Sequence, residues 1–537
     1  MSASASAATK RLTLIACILG SGIALLDGSI VNVALPTIQR ELGGGLAAQQ
    51  WIVNGYLLTL GSLILVGGSL GDVYGERRIF LIGVLGFGAA SLGCALAPTI
   101  GWLVALRMLQ GVASALLTPS SLAVIVHTFP ESERGRAIGT WTAWGTIAGV
   151  LGPLVGGELL ALGSWRLIFL VNIPFVIACA AIILIALPAA EARTAQARKI
   201  DIPGAALGAA GLAGTVFALI EQPVLGWSSP GVLIPLIGGV VLLFAFIAYE
   251  AHADDPMLPL RLFRKRNFAA GNIETLAMYA GLAILFFFLT LFLQQIGGYT
   301  PLQSGLATLP VTVIMFLLSR RFGALADRYG PRFFMGAGPL VCAAGLLLFQ
   351  RVGVHVDYLG AVLPALLVFS LGLSMTVAPL TAAVLADAAE SDAGIASGVN
   401  NAIARVAGLL GTAGVGAAIA AAFSSDLASR TAKIPLGPAA KTALKEAKRL
   451  PLGRPNVSGV PPLQAHVVTH AANQASLYSF HVGMAVAAVL LAAGGLAGAL
   501  GIRNPHGEVA AAECATGQLV GTGRDITERA ACEHATA

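Results

Sequence analysis

Long apolar runs follow one another along the chain, separated by short stretches rich in charge, Gly or Pro. Runs of about 20 apolar residues that do not alternate in polarity predict membrane-spanning helices and exclude a transmembrane β-barrel. Fourteen such runs are predicted: 13–35, 50–71, 79–97, 101–126, 136–160, 166–188, 203–221, 231–250, 268–295, 303–321, 333–351, 357–386, 394–423 and 480–502. The tenth, 303–321, contains Pro310 and ends in Arg320-Arg321.

Composition agrees with this pattern. Of 537 residues, 56% are hydrophobic and 11% charged, whereas soluble domains carry about 25% charged residues. The 65 glycines fit helices packed closely in lipid. The net charge of +6 lies in short loops with no aromatic-interleaved basic patch, so no nucleic acid is expected as a partner. Cys17, Cys94, Cys179 and Cys342 lie in apolar runs, and Cys514 and Cys532 near the C-terminus, which is no disulfide framework. Leu14-Ile15-Ala16-Cys17 matches a lipoprotein cleavage box, but too few apolar residues precede it for a signal sequence, so 13–35 reads as an uncleaved span. No metal site is expected: His466 and His470 are two ligands where zinc needs more, and Cys532-Glu-His534 is a chance cluster in a tail.

Orientation follows from Lys and Arg in the short loops. With the N-terminus in the cytoplasm, eighteen of these residues, among them Arg77, Arg78, Arg134, Arg136, Arg320, Arg321, Arg328 and Arg332, fall inside, and three, Arg40, Arg166 and Arg351, fall outside. The loop 424–479 strains this assignment, being external yet basic. Its length approaches the roughly 60 residues above which loops cross regardless of charge.

The segment Gly68-Ser-Leu-Gly-Asp72-Val-Tyr-Gly75-Glu-Arg77 recurs 255 positions later as Gly323-Ala-Leu-Ala-Asp327-Arg-Tyr-Gly330-Pro-Arg332. The second and third spans therefore correspond to the tenth and eleventh. The expected fold is an all-α polytopic membrane protein with two six-helix halves and two inserted helices. Its parts are a cytoplasmic N-terminus 1–12, a first half 13–188, inserted helices 203–250, a second half 268–502 including the external loop 424–479, and a cytoplasmic tail 503–537. Two related membrane halves with a site between them form a transporter architecture. A carboxylate at a helix C-terminus opposes the helix dipole. Asp72 therefore requires a positive partner and is suited to act as a conformational latch, with Gly75 making the turn; the alternative is a plain basic turn.

This repeated loop resembles the signature between the second and third helices of the major facilitator superfamily. Fourteen spans resemble its drug:proton antiporter branch, of the quinolone and quaternary-ammonium exporter type, over about residues 10–505. Three further stretches fit: Leu26-Asp27-Gly-Ser-Ile-Val-Asn32-Val-Ala-Leu35-Pro36 in the first span, Leu106-Arg107-Met-Leu-Gln110-Gly111 in the fourth, and Gly145, Gly149, Gly152-Pro153 and Gly156-Gly157 in the fifth. The resemblance implies that Asp72 stabilises an outward-facing state, that Arg107 takes part in proton coupling, and that the fifth-span glycines accompany export.

Charges inside spans are costly and point to function. Counting from the predicted span ends, Asp27 and Arg107 both lie about 10 Å below the outer surface, a depth that permits pairing around one protonation site or a purely structural ion pair. Glu274 is a second proton site, a contact for a cationic substrate, or an interfacial carboxylate reaching for water. Arg405, in Gly398-Val-Asn400-Asn401-Ala-Ile-Ala-Arg405, resembles a family element of uncertain role. Phe286-Phe287-Phe288 offers aromatic stacking, although three adjacent positions face three directions. The second, tenth and thirteenth spans hold no mid-membrane carboxylate, which disfavours dications. The expected substrate is a monocationic, zwitterionic or neutral amphipathic small molecule, exported against protons by a monomer in the bacterial plasma membrane, with no cofactor beyond the proton gradient. A proton symporter importing a solute and a non-transporting sensor on the same fold are the rivals. No enzyme motif is present.

Overall fold

The computed structural model describes residues 7–187, 201–386 and 393–504; the tail beyond 504 and the first six residues lie outside them. Among the described residues the regular structure is helical, and fourteen helices are long and apolar enough to cross a membrane.

The first half comprises α1 (Ala7–Leu42), α2 (Leu46–Tyr74), α3 (Glu76–Leu96), α4 (Ile100–Thr128), α5 (Glu131–Ala161) and a sixth span split into α6 (Leu167–Leu170) and α7 (Asn172–Ala186). The inserted pair is α8 (Ile202–Leu225) and α9 (Pro230–Glu250). The second half comprises α10 (Arg266–Gln295), α11 (Pro301–Tyr329), α12 (Pro331–Leu348), α13 (Leu363–Ala386), α14 (Ala393–Thr431) and α16 (Pro462–Gly501), with a short α15 (Pro438–Ala447) before α16.

Several predicted boundaries are corrected. Helix α1 runs seven residues past Leu35, through Pro36; proline is tolerated inside membrane helices. Helix α11 continues through Pro310 and Arg320-Arg321 to Tyr329, so those arginines are helical rather than in a loop. The predicted loop 424–479 is mostly helix: α14 extends to Thr431 and α16 begins at Pro462. What remains lies flat over the bundle end opposite Arg77. There Arg454 Nε donates to Gln295 O at 2.8 Å. The Arg449 carbonyl stands where a Cβ on Gly45 would meet it at 2.3 Å. Arg430 pairs with Asp426 one turn earlier on α14. Of the basic residues in this segment, Arg454 thus ties it to the end of α10.

The inserted helices pack on each other through Gly211, Gly214 and Gly239; a Cβ on Gly214 would stand 2.6 Å from Pro235 O. Helix α8 packs against α2 and α14, along the seam between the halves. Trp51 Nε1 on α2 donates to Glu221 Oε1 on α8 at 2.8 Å.

At the end that carries Gln294 the halves are closed. Ile30, Val31, Ala34, Leu35 and Ile38 of α1 form one apolar cluster with Ile284 through Leu293 of α10. Polar bonds lock it. Gln294 Nε2 donates to Val33 O at 3.0 Å, Gln50 Nε2 to Thr412 O at 2.6 Å, and Thr412 Oγ1 to Asn54 Oδ1 at 2.8 Å. Phe287 and Phe288 are buried in this seal, and Phe286 packs against it, so the three fill core rather than line a ligand site. At the opposite end the halves part around a cavity.

Candidate functional site

The cavity has a volume of about 880 Å³ and is walled by α1, α2, α4 and α5 of one half and by α10 and α14 of the other. Its mouth is formed by Asp72, Glu76, His127, Asp201 and Asp255. Its depth reaches Leu25, Gly28, Ser29, Tyr56, Leu57, Tyr279, Asn401 and Arg405.

Behind the Tyr56 wall lies the buried ion pair. The Asp27 carboxylate accepts from Arg107 Nη1 through Oδ2, and both side chains are sealed, at 0% and 1% exposure. The pairing follows from close backbone packing. A Cβ on Gly111 would stand 2.3 Å from Tyr56 O, and one on Gly67 1.9 Å from Ala115 O. These glycines let α4 lie directly on α2 and bring Arg107 Nε to Ile52 O at 3.1 Å. The Arg107 guanidinium also stacks 4.4 Å from the centre of the Tyr56 ring. The two residues do not lie equally far from the ends of their helices, contrary to the span ends predicted from sequence. Because α1 extends to Leu42, Asp27 lies fifteen residues, about 22 Å, from that helix's outer end. Arg107 is seven residues from the start of α4, about 10 Å. They meet because α1 projects well above α4.

Three further groups complete the pair. Gln110 Nε2 donates to Asp27 Oδ1 at 2.9 Å and to Ser91 Oγ at 2.8 Å. Asn172 Nδ2 donates to the same Asp27 oxygen at 3.0 Å. Gln110 belongs to the fourth-span motif, but its role was not legible there. Asn172 and Ser91 were missed altogether. The signal for Asn172 is an Asn-Ile-Pro sequence interrupting an apolar span, where α6 breaks into α7.

Glu274 does not join this cluster. It is fully buried in the second half, where its Oε2 would meet a Cβ on Gly498 of α16 at 2.4 Å. Neither of its carboxylate oxygens has a hydrogen-bond partner. The alternative of an interfacial carboxylate reaching for water is therefore corrected: α12 and α16 cover the side chain, and Glu274 is absent from the cavity lining.

The fifth-span glycines divide between two neighbours. Gly145, Gly149, Gly152 and Gly156 face α1: their Cβ positions lie 3.0 Å from Leu25 Cδ1, 4.0 Å from Leu25 O, 1.9 Å from Ser29 Oγ and 2.7 Å from Ile30 Cγ1. Gly157 instead faces α11 of the other half, 2.5 Å from Leu302 Cα. The carbonyl of Pro153 stands 2.7 Å from the Cβ position of Gly305, also on α11. One helix thus carries both the α1 seam within its half and the outer closure between halves.

At the two repeated loops, Gly68 and Asp72 line the cavity wall and mouth. Gly75 and Gly330 both adopt positive φ, 90° and 86°, as the C-caps of α2 and α11. Asp327 is exposed near the end of α11. Arg77 Nη2 donates to Leu184 O at 3.1 Å, and Arg332 Nε to Ala499 O at 2.7 Å.

Comparison with known proteins agrees with this geometry. The profile of the Major Facilitator Superfamily matches residues 17–412. The chain is 38% identical to the puromycin resistance protein pur8 of Streptomyces alboniger, over 73% of this chain and 78% of that protein. It is 32% identical to the tetracenomycin C resistance and export protein of Streptomyces glaucescens, over 88% of each. Among solved structures it resembles a bacterial homolog of the human lysosomal transporter Spinster in an inward-facing, unoccupied conformation. That likeness has a TM-score of 0.59 at 15% identity and covers 93% of this chain and 100% of the other.

Proposed function

The chain belongs to the major facilitator superfamily, and from that premise we propose that it is an efflux transporter exporting small amphipathic antibiotics or drugs across the bacterial plasma membrane in exchange for protons. The observation that carries the coupling is the sealed Asp27–Arg107 pair, whose guanidinium stacks on the Tyr56 ring that lines the cavity. A proton on Asp27 removes the charge that holds Arg107. The guanidinium then relaxes towards the Tyr56 ring and the Ile52 carbonyl, which moves the cavity wall. Substrate pressing on Tyr56 acts on the same pair in reverse.

The end that carries Arg77 and Arg332 is the cytoplasmic one, by the excess of Lys and Arg there. Both termini lie on that side, and the cavity opens inward. Export then requires opening of the outer seal along the α5–α11 contact, with the first half turning on the glycine seam between α5 and α1. The Asp72 loop is the latch that closes the inner end, and Glu274 is a second proton site inside the second half. The protein works as a monomer without a cofactor, powered by the proton gradient. Its substrates are monocationic, zwitterionic or neutral amphipathic compounds, because Asp27, the carboxylate deep in the first half, is already held by Arg107.

The test is transport in proteoliposomes with puromycin and tetracenomycin C as probes. An imposed pH gradient is expected to drive uphill movement of at least one, lost on adding a protonophore. Uphill movement that persists without a gradient would reject proton exchange.

A further inference from the structure

The cavity holds one feature that neither the ion pair nor the seal uses. Among the described residues Arg405 is the sole Lys or Arg lining it. Among the described residues its guanidinium has no hydrogen-bond or ion-pair partner. It sits twelve residues into α14, about 18 Å from that helix's start. Its position is fixed by packing: a Cβ on Gly61 of α2 would stand 3.2 Å from Arg405 Cβ, so α14 lies tightly on α2 and the side chain projects into the space between the halves. Tyr56 and Tyr279, one from each half, line the same cavity.

An arginine at this depth without a counter-charge is costly. Of the buried acids in the spans, Asp27 is sealed and held by Arg107, Gln110 and Asn172, and Glu274 is fully buried outside the cavity lining. The acids at the mouth do not compensate it. Asp72 lies eleven residues along α2 from Gly61, about 16 Å towards the mouth. Asp201 caps α8 at Gly204 N, and Glu76 is bound to His127. The deep cavity is therefore an apolar chamber, walled by Leu57, Leu60 and Ile64, with one uncompensated positive charge.

We propose that Arg405 anchors the substrate: the cavity takes amphipathic compounds that carry a carboxylate or another acidic group, seated on the Arg405 guanidinium with the apolar body against the α2 wall. This rests on the export reading and narrows it, excluding compounds whose only charge is positive. An acidic group supplies the missing counter-charge through charge-assisted hydrogen bonds. Bound there, it lies against Tyr56, which links occupancy to the proton pair.

The experiment uses three probes with one aromatic body: dansylglycine (a carboxylate), its uncharged amide, and a dansyl-ethylenediamine cation. Binding to the purified, full-length protein in nanodiscs is read by fluorescence without a gradient. The wild type is expected to prefer the carboxylate by about tenfold over the amide, the scale of one charge-assisted hydrogen bond, and to bind the cation most weakly. Arg405→Lys should keep part of that preference, and Arg405→Gln should bring the ratio close to one. Equal binding of all three probes by the wild type, no binding of the carboxylate, or an unchanged ratio in Arg405→Gln would each overturn the proposal. The wild-type ratio decides even if a variant fails to fold. Because binding is read without transport, a failure of export in proteoliposomes leaves this result distinct.

Discussion

Arg77 and Arg332, 255 residues apart in the repeated loops, make the same contact: each guanidinium donates to a backbone carbonyl at the C-terminal end of the last span of its own half, Leu184 O and Ala499 O. A helix C-terminus presents unpaired carbonyls and a partial negative charge, and an Arg satisfies both. The repeat thus ties the third span of each half to its sixth. Replacing either Arg by Ala should lower stability by about 1 kcal/mol, with the loss confined to that half. Hydrogen exchange at the ends of α7 and α16 measures it; unchanged protection at the corresponding helix end would count against this role.

Asp27→Asn should reduce pH-driven uphill efflux to the level of protein-free liposomes while downhill exchange of substrate survives. The Asn retains an acceptor oxygen for the amides of Gln110 and Asn172 but leaves the Arg107 charge without a counter-ion. If the pair were structural only, the mutant would lose about 3–5 kcal/mol and fail to insert. A well-folded mutant that still pumps uphill would exclude Asp27 as the carrier and leave Glu274 as the candidate.

Gly157→Val and Gly305→Val should each prop open the outer closure, because their Cβ positions already meet backbone of the other half at 2.5 and 2.7 Å. Spin-label distances across the outer ends of α5 and α11 should lengthen. Gly152→Val strikes α1 within the same half, at Ser29 Oγ 1.9 Å away. It should destabilise by about 1–3 kcal/mol through overpacking without that lengthening. Identical behaviour of the two classes would refute the division of this helix into two seams.

Asp72→Asn should impair transport in a protein that folds and inserts normally, since the residue borders the cavity mouth at a helix C-terminus. Efflux at the wild-type rate by a well-expressed mutant would reject the latch.

Thr442→Cys on the exposed face of α15 should react with an impermeant thiol reagent added to intact cells, as the four described native cysteines are buried. Labelling only after lysis would invert the orientation.

The number of spans, the duplication, and the identity of Asp27, Arg107, Asp72 and the fifth-span glycines were legible in the sequence, because hydropathy and motif spacing are local properties that lipid enforces run by run. Span ends were not: nothing in composition marks where α1, α11, α14 and α16 continue past the apolar run, since a helix keeps its hydrogen bonds beyond it. What the tertiary structure alone decided are the relations between helices. It put Asn172 on Asp27 and Ser91 on Gln110, turned Glu274 away from the cavity, assigned Gly157 to α11 rather than α1, and left Arg405 uncompensated in the chamber. Each depends on the rotation and depth of one helix against another. Glycine contacts a fraction of an ångström wide set these quantities, and an apolar pattern along a single helix in lipid does not encode them.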